Sequence, residues 1–158
     1  MPDGLTTEIS IRLWFRLIRL EARMQAAVGE RLRHIGVSIP QCDVLTTLSE
    51  REGVSQQQLA ERLYVTKGNI SGLLDRLEDA GFVERRPAAR DRRQHSIHLT
   101  ESGRAMAEKA IAVQHEWIAS TLGRLSEADL EGLEAHLIAL RDLVREQEQP
   151  AVAKPAKA

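Results

Sequence analysis

The sequence predicts a mainly α fold with a small β-hairpin. Three observations lead to it. Ser/Thr-x-x-Gln or Asn patterns open one helix after another, apolar residues recur at three- and four-residue intervals between them, and only the segments 82–86 and 95–100 are short and strand-like.

Residues 8–34 form one long amphipathic pattern through Ile11, Trp14, Leu17, Ile18, Met24, Val28 and Leu32, ending near Gly36. Ser38-Ile39-Pro40-Gln41 reads as a capping box, with Val37 and Cys42 as its hydrophobic staple. Val44, Leu45 and Leu48 carry that helix to about Arg51. Ser55-Gln56-Gln57-Gln58 repeats the device with Val54 and Leu59, opening a short helix that ends near Leu63. Thr66-Lys67-Gly68-Asn69 is a weaker box because Asn replaces Glu or Gln, but Val65 and Ile70 complete the staple. This helix runs to Ala80 and stops at Gly81. The polar stretch 87–93 between the two strand-like segments reads as a hairpin loop. Thr100 then caps a helix to about Leu122, and Ser126, stapled by Leu125 and Leu130, opens the last one, to about Glu148. Residues 149–158, Ala, Lys and Pro with little to bury, are expected to be a disordered tail.

Composition narrows the functional class. The 158 residues, 42% apolar and 28% charged, suit an ordinary globular protein with a full core. Aromatics make up 3%, too few for the stacking platforms of a single-strand binder. Net charge is -1, but it is unevenly spread. Arg85, Arg86, Arg90, Arg92 and Arg93 stand against Asp91, whereas Glu127, Asp129, Glu131, Glu134, Asp142, Glu146 and Glu148 stand against Arg141 and Arg145. The single cysteine, Cys42, allows no intrachain disulfide. With no leader-like N-terminus and no membrane-length apolar run, the expected location is the cytoplasm, with no membrane partner. No nucleophile–base pair, metal cluster or phosphate loop is visible, so neither an enzyme nor a metal or cofactor site is expected. His95 and His98, three apart in one strand, face opposite ways and cannot chelate together.

Two short, separately capped helices joined by a tight turn are the signature of a helix-turn-helix. The second carries Ile70, Leu73, Leu74 and Leu77 on one stripe, which must pack inward. Its other face presents Gly68 and Gly72, flanked by Asn69, Ser71 and Arg76. Glycine within a helix costs about 1 kcal/mol relative to alanine, so two on one face call for a reason. A helix stripped of side chains can approach the floor of a DNA major groove closely. Thr66 and Lys67 at its positive end, and Ser55 and Gln56 opening the helix before it, complete the candidate contact set. The hairpin, carrying Arg85, Arg86, Arg90, Arg92 and Arg93, reads as a wing reaching the minor groove or its phosphates. Asp91 is expected to pair with Arg93 and shape the loop.

Residues 1–36 therefore read as an N-terminal dimerisation helix, 37–100 as a winged helix-turn-helix lobe, and 101–148 as C-terminal dimerisation helices. Leu130, Leu133, Leu137, Leu140 and Val144, and likewise Met106, Ala110, Val113 and Trp117, form seams that want partner helices. The expected partners are a second copy of the chain and double-stranded DNA.

The order and residues together resemble the MarR family of regulators. The carriers are Ser55-Gln56-Gln57-Gln58-Leu59-Ala60, the run Leu73-Leu74-Asp75-Arg76-Leu77-Glu78-Asp79-Ala80-Gly81-Phe82-Val83-Glu84-Arg85, then Asp91-Arg92-Arg93 and Leu99-Thr100-Glu101-Ser102-Gly103. The resemblance implies an obligate homodimer that represses, or less often activates, nearby genes and is relieved by a small aromatic or phenolic effector or by thiol oxidation; the two-fold symmetry of such a pair implies a pseudo-palindromic operator. It implies that Arg92 enters a minor groove and that Asp91 and Arg93 brace the wing. Trp14, Arg19, His34 and Trp117 are the candidate effector walls, and Cys42 the candidate redox sensor, although the family's best-known sensor cysteine lies in the first helix, where this chain has none. A winged helix that binds only protein is the alternative class.

Overall fold

The computed structural model of the chain describes residues 4–87 and 95–148. Its elements are α1 (Gly4–His34), α2 (Ile39–Glu50), β1 (Val54–Ser55), α3 (Gln56–Arg62), α4 (Lys67–Asp79), β2 (Val83–Pro87), β3 (His95–Leu99), α5 (Glu101–Ser120) and α6 (Glu127–Glu148), with a 3-10 turn at Leu122–Arg124. Arg90, Asp91, Arg92, Arg93 and the expected tail 149–158 lie outside the described residues.

The caps form as the sequence predicts. Ser38 Oγ accepts from the Gln41 N–H at 3.4 Å, and Gln41 Oε1 accepts from the Ser38 N–H at 2.9 Å. At α3 the equivalent bonds join Ser55 and Gln58 at 3.1 and 2.8 Å. Thr66 Oγ1 accepts from the Asn69 N–H at 3.3 Å. Beneath these caps the staple residues Val37, Cys42, Val54, Leu59 and Ile70 are buried.

Three helices end in the same way. At each end, the N–H of one residue reaches back three positions and the next N–H reaches back five, satisfying carbonyls that the helix leaves unpaired. In α1 these are Gly36 to Arg33 and Val37 to Leu32; in α4, Gly81 to Glu78 and Phe82 to Leu77; in α3, Tyr64 to Glu61 and Val65 to Ala60. The first residue of each pair is left-handed, with φ of 88° at Gly36, 75° at Gly81 and 53° at Tyr64.

The sheet has three strands in the order β1-β3-β2, both pairings antiparallel. The hairpin is expected from the sequence; β1 is not. Its two residues, Val54 and Ser55, are too few to show alternation, and Ser55 is also the N-cap of α3. Only their pairing with β3, Val54 with Ile97 and Ser55 with Ser96, makes them a strand. The core gathers Leu32, Val44, Leu45, Leu48, Leu59, Ile70, Leu74, Leu77, Ile97 and Leu99 under the sheet and helices.

One seam expectation is corrected. Ala110 is fully buried, and Met106 and Val113 pack against the chain's own core, so these α5 residues meet the core of their own lobe rather than a partner helix. The described residues divide into two compact units between Trp117 and Ile118, inside α5. Within the first unit, the N-terminal half of α1 leaves Leu5, Trp14, Phe15 and Leu20 more than half exposed. Within the second, α6 leaves Leu133, Leu137, Leu140 and Val144 exposed. No helix among the described residues is long and apolar enough to cross a membrane.

Candidate nucleic-acid interface

The apolar stripe of α4 does what its spacing requires: Ile70, Leu73, Leu74 and Leu77 are all buried. The other face is left to solvent. Lys67, Gly68, Asn69, Gly72 and Arg76 are exposed and Ser71 is half-buried. A Cβ built on Gly68 or Gly72 would meet nothing within 4 Å. Neither glycine therefore serves packing within the chain, and the absence of side chains there leaves a smooth, open helix surface. Ser55 and Gln56, half-buried, open α3, with the Ser55 hydroxyl engaged in its cap.

Asp75 and Glu78, acidic residues on the helix that carries this face, both bind the Arg85 guanidinium, Asp75 at 2.5 Å. The Glu78 carboxylate also accepts from the Arg85 backbone N–H at 3.2 Å. Partial burial opposes the charge on Arg85, but the two acids outweigh it and raise its pKa. This corrects the reading of Arg85 as a wing contact, since its guanidinium is committed to tying β2 to α4. The pairing spans seven and ten residues of chain, so no local pattern announces it. Among the described residues Arg86, the next residue, forms its ion pair with Glu84 on its own strand, and both side chains are exposed. Such a surface pair contributes little, which leaves Arg86 available to another partner.

Behind the wing, a polar cluster joins the sheet to α5. Ser96 Oγ lies 3.0 Å from His98 Nε2, and Glu52 lies 3.5 Å from His98 Nδ1 while also binding Arg104. Burial, then the charge of Arg86, lowers the His98 pKa, so the imidazole is neutral near pH 7.

Cys42 is fully buried in the staple of α2. Burial, aided by the charge of Asp43, pushes its thiol up to about 11. A thiol so placed is neither accessible nor ionised, which runs against the sensor reading; Cys42 fills the core like a small apolar side chain. In the folded chain its alkylation by iodoacetamide at neutral pH should run at least about a hundredfold slower than in urea, because thiolate is the reacting form. Equal rates, read by mass spectrometry, would contradict this burial.

The candidate effector walls do not converge within one chain. Trp14 and His34 lie on the same continuous helix, and at ~1.5 Å per residue they are about 30 Å apart. The Arg19 guanidinium sits 5.9 Å from the centre of the Phe15 ring, and His34 Nδ1 lies 2.8 Å from the Glu30 carbonyl. Trp117 is half-buried on α5. A groove of about 380 Å³ in the second unit is lined instead by Leu122, Leu130, Leu133, Leu137, Glu134 and Arg141, among others.

A capped helix pair, the second member smooth and open outward, with a three-stranded wing clamped to it, defines a winged helix-turn-helix protein. Comparison with known proteins agrees. The MarR family profile matches residues 35–94. An HTH-type transcriptional repressor of Mycobacterium bovis is 34% identical over 114 residues, covering 72% of this chain and 82% of the relative. The structure of the Mycobacterium tuberculosis MarR family protein Rv2887 in complex with DNA aligns with a TM-score of 0.67 and 32% identity, covering 81% of this chain and 96% of that one. The S. aureus MepR–DNA complex aligns with a TM-score of 0.73 and 27% identity, over 83% and 96% of the two chains. This chain belongs to the MarR family, a family of transcriptional regulators rather than enzymes.

Proposed function

We propose that the chain is a transcriptional repressor that binds a pseudo-palindromic stretch of duplex DNA as a homodimer and is released by a small aromatic or phenolic effector. The observation that carries the reading is the outward face of α4, where Gly68 and Gly72 open onto empty space between Lys67, Asn69, Ser71 and Arg76. A major groove about 12 Å wide accepts such a helix. The N–H groups of Lys67 and Gly68, together with the Lys67 side chain, suit a phosphate at its entrance. Ser55, Gln56 and Arg86 are assigned to the same interface; family resemblance adds Arg90, Arg92 and Arg93 as minor-groove contacts and Asp91 and Arg93 as braces of the wing, all outside the described residues. A relative named as a repressor and two relatives solved with DNA support the same reading.

Dimerisation rests on apolar surface that one chain leaves bare. The exposed side chains of Leu5, Trp14, Phe15, Ile18 and Leu20 on α1, and of Leu137, Leu143 and Val144 on α6, are more than isolated surface residues. We assign residues 1–36 and 101–148 to this association, with 37–100 as the DNA-binding lobe; within 101–148, the α5 residues before Trp117 pack on the lobe's own core. A two-fold pair would set its recognition helices about 34 Å apart, one turn of duplex. Response to an effector rests on family resemblance.

The test is equilibrium binding to a labelled duplex recovered by the protein from a randomised pool. Affinity should fall steeply with salt, and Lys67→Ala and Arg86→Ala should each reduce the log–log slope by about 1. A chain that recovers no duplex, or binds without salt dependence, would favour a protein-interaction module instead.

A further inference from the structure

The three matching helix ends set a residue apart. Each requires a left-handed residue at the same place, and glycine fills it at Gly36 and Gly81. At the end of α3 the place is taken by Tyr64, with φ of 53°. For a bulky side chain this backbone region is a costly outlier, and glycine would occupy it freely. The side chain gains nothing inside the molecule in return, since Tyr64 is 91% exposed, ahead of every other large apolar or aromatic residue among those described. Its neighbours in the same turn behave differently: Leu63 and Val65 pack against the core. The strained, solvent-facing tyrosine stands two residues before Thr66, the cap of α4, and three before Lys67. Backbone strain held without an internal gain points to a use outside the chain.

We infer that Tyr64 contacts the nucleic acid, its phenol taking a backbone phosphate or sugar at the edge of the groove that α4 enters. This rests on the DNA-binding reading and adds to it a residue that no sequence motif marks. Tyrosine suits such a contact. Its ring is stiff, and its hydroxyl donates to a phosphate oxygen while carrying no charge. The consequence is a contact that strengthens binding without adding to its salt dependence, in contrast to Lys67 beside it.

Two substitutions test this. Tyr64→Gly relieves the backbone, so its urea midpoint should equal or exceed that of the parent chain. Its affinity for the labelled duplex should nevertheless fall about tenfold or more, with the slope of log affinity against log salt unchanged. Tyr64→Phe, which keeps ring and backbone, should lose about threefold or more through the missing hydroxyl. If the parent chain binds duplex and Tyr64→Gly binds equally well, the inference is wrong while the DNA-binding reading stands. If the parent chain binds no duplex, both fall. A Tyr64→Gly chain that loses stability along with affinity would mark the residue as structural and also overturn the inference.

Discussion

Replacing Gly103 with alanine should cost the folded chain roughly 3 kcal/mol, toward the severe end of overpacking substitutions. A Cβ at this position would lie 1.8 Å from the Phe82 carbonyl oxygen and 2.8 Å from its carbon. Both are backbone atoms, so no side-chain rotation can make room. The turn they belong to is held from several directions. The Thr100 and Ser102 hydroxyls donate to the Gly81 carbonyl at 2.6 and 2.7 Å, and the Thr100 N–H donates to the Phe82 carbonyl at 3.1 Å. The Thr100 hydroxyl also accepts from the Gly103 N–H at 3.0 Å, capping α5. Alanine must therefore lift the start of α5 off the turn that leaves α4. Urea unfolding followed by circular dichroism, at one fixed protein concentration, checks this, with Gly132→Ala as the control. A Cβ at Gly132 meets nothing within 4 Å, so that change should be neutral or stabilising. Equal midpoints for the two variants would mean that α5 and the turn are not in contact.

Replacing Gly72 with leucine should leave the fold intact and reduce duplex affinity by a hundredfold or more, about 3 kcal/mol of binding. A Cβ at this position meets nothing within 4 Å, so the new side chain would leave the outward face of α4 into open space. Alanine at the same place should raise stability by up to about 1 kcal/mol, because glycine is a poor helix residue. A branched side chain would instead hold the helix away from the base edges, breaking several groove contacts at once. Thermal unfolding and duplex binding on the same preparation separate the two effects. A leucine variant that binds like the parent chain would remove α4 from the proposed interface.

Much of the architecture is legible in the chain because its signals are local. A capping box lies within four residues, and Ser38–Gln41 and Ser55–Gln58 form the bonds their spacing implies. The stripe of Ile70, Leu73, Leu74 and Leu77 likewise settles which face of α4 is buried. What is not legible depends on distant partners. β1 exists only because Val54 and Ser55 meet Ile97 and Ser96, and the role of Arg85 depends on acids on a neighbouring helix. The α5 seam differs from expectation for the same reason: its periodicity says that Met106, Ala110 and Val113 are covered, not by what. How the candidate effector residues could meet is likewise not legible, since a helix of 31 residues holds Trp14 and His34 about 30 Å apart within one chain. Tyr64 looks ordinary in the sequence, and only its backbone angle and exposure distinguish it.

The hold of Asp75 and Glu78 on Arg85 bears on how such a regulator could be switched off. If the lobe binds a duplex as proposed, these ion pairs favour strand and helix leaving it together. In the proposed homodimer, a modest change in the gap between two such lobes would then put both out of step with the turns of the double helix. On that reading, the proposed effector could act by resetting the gap, leaving the reading surface itself unaltered.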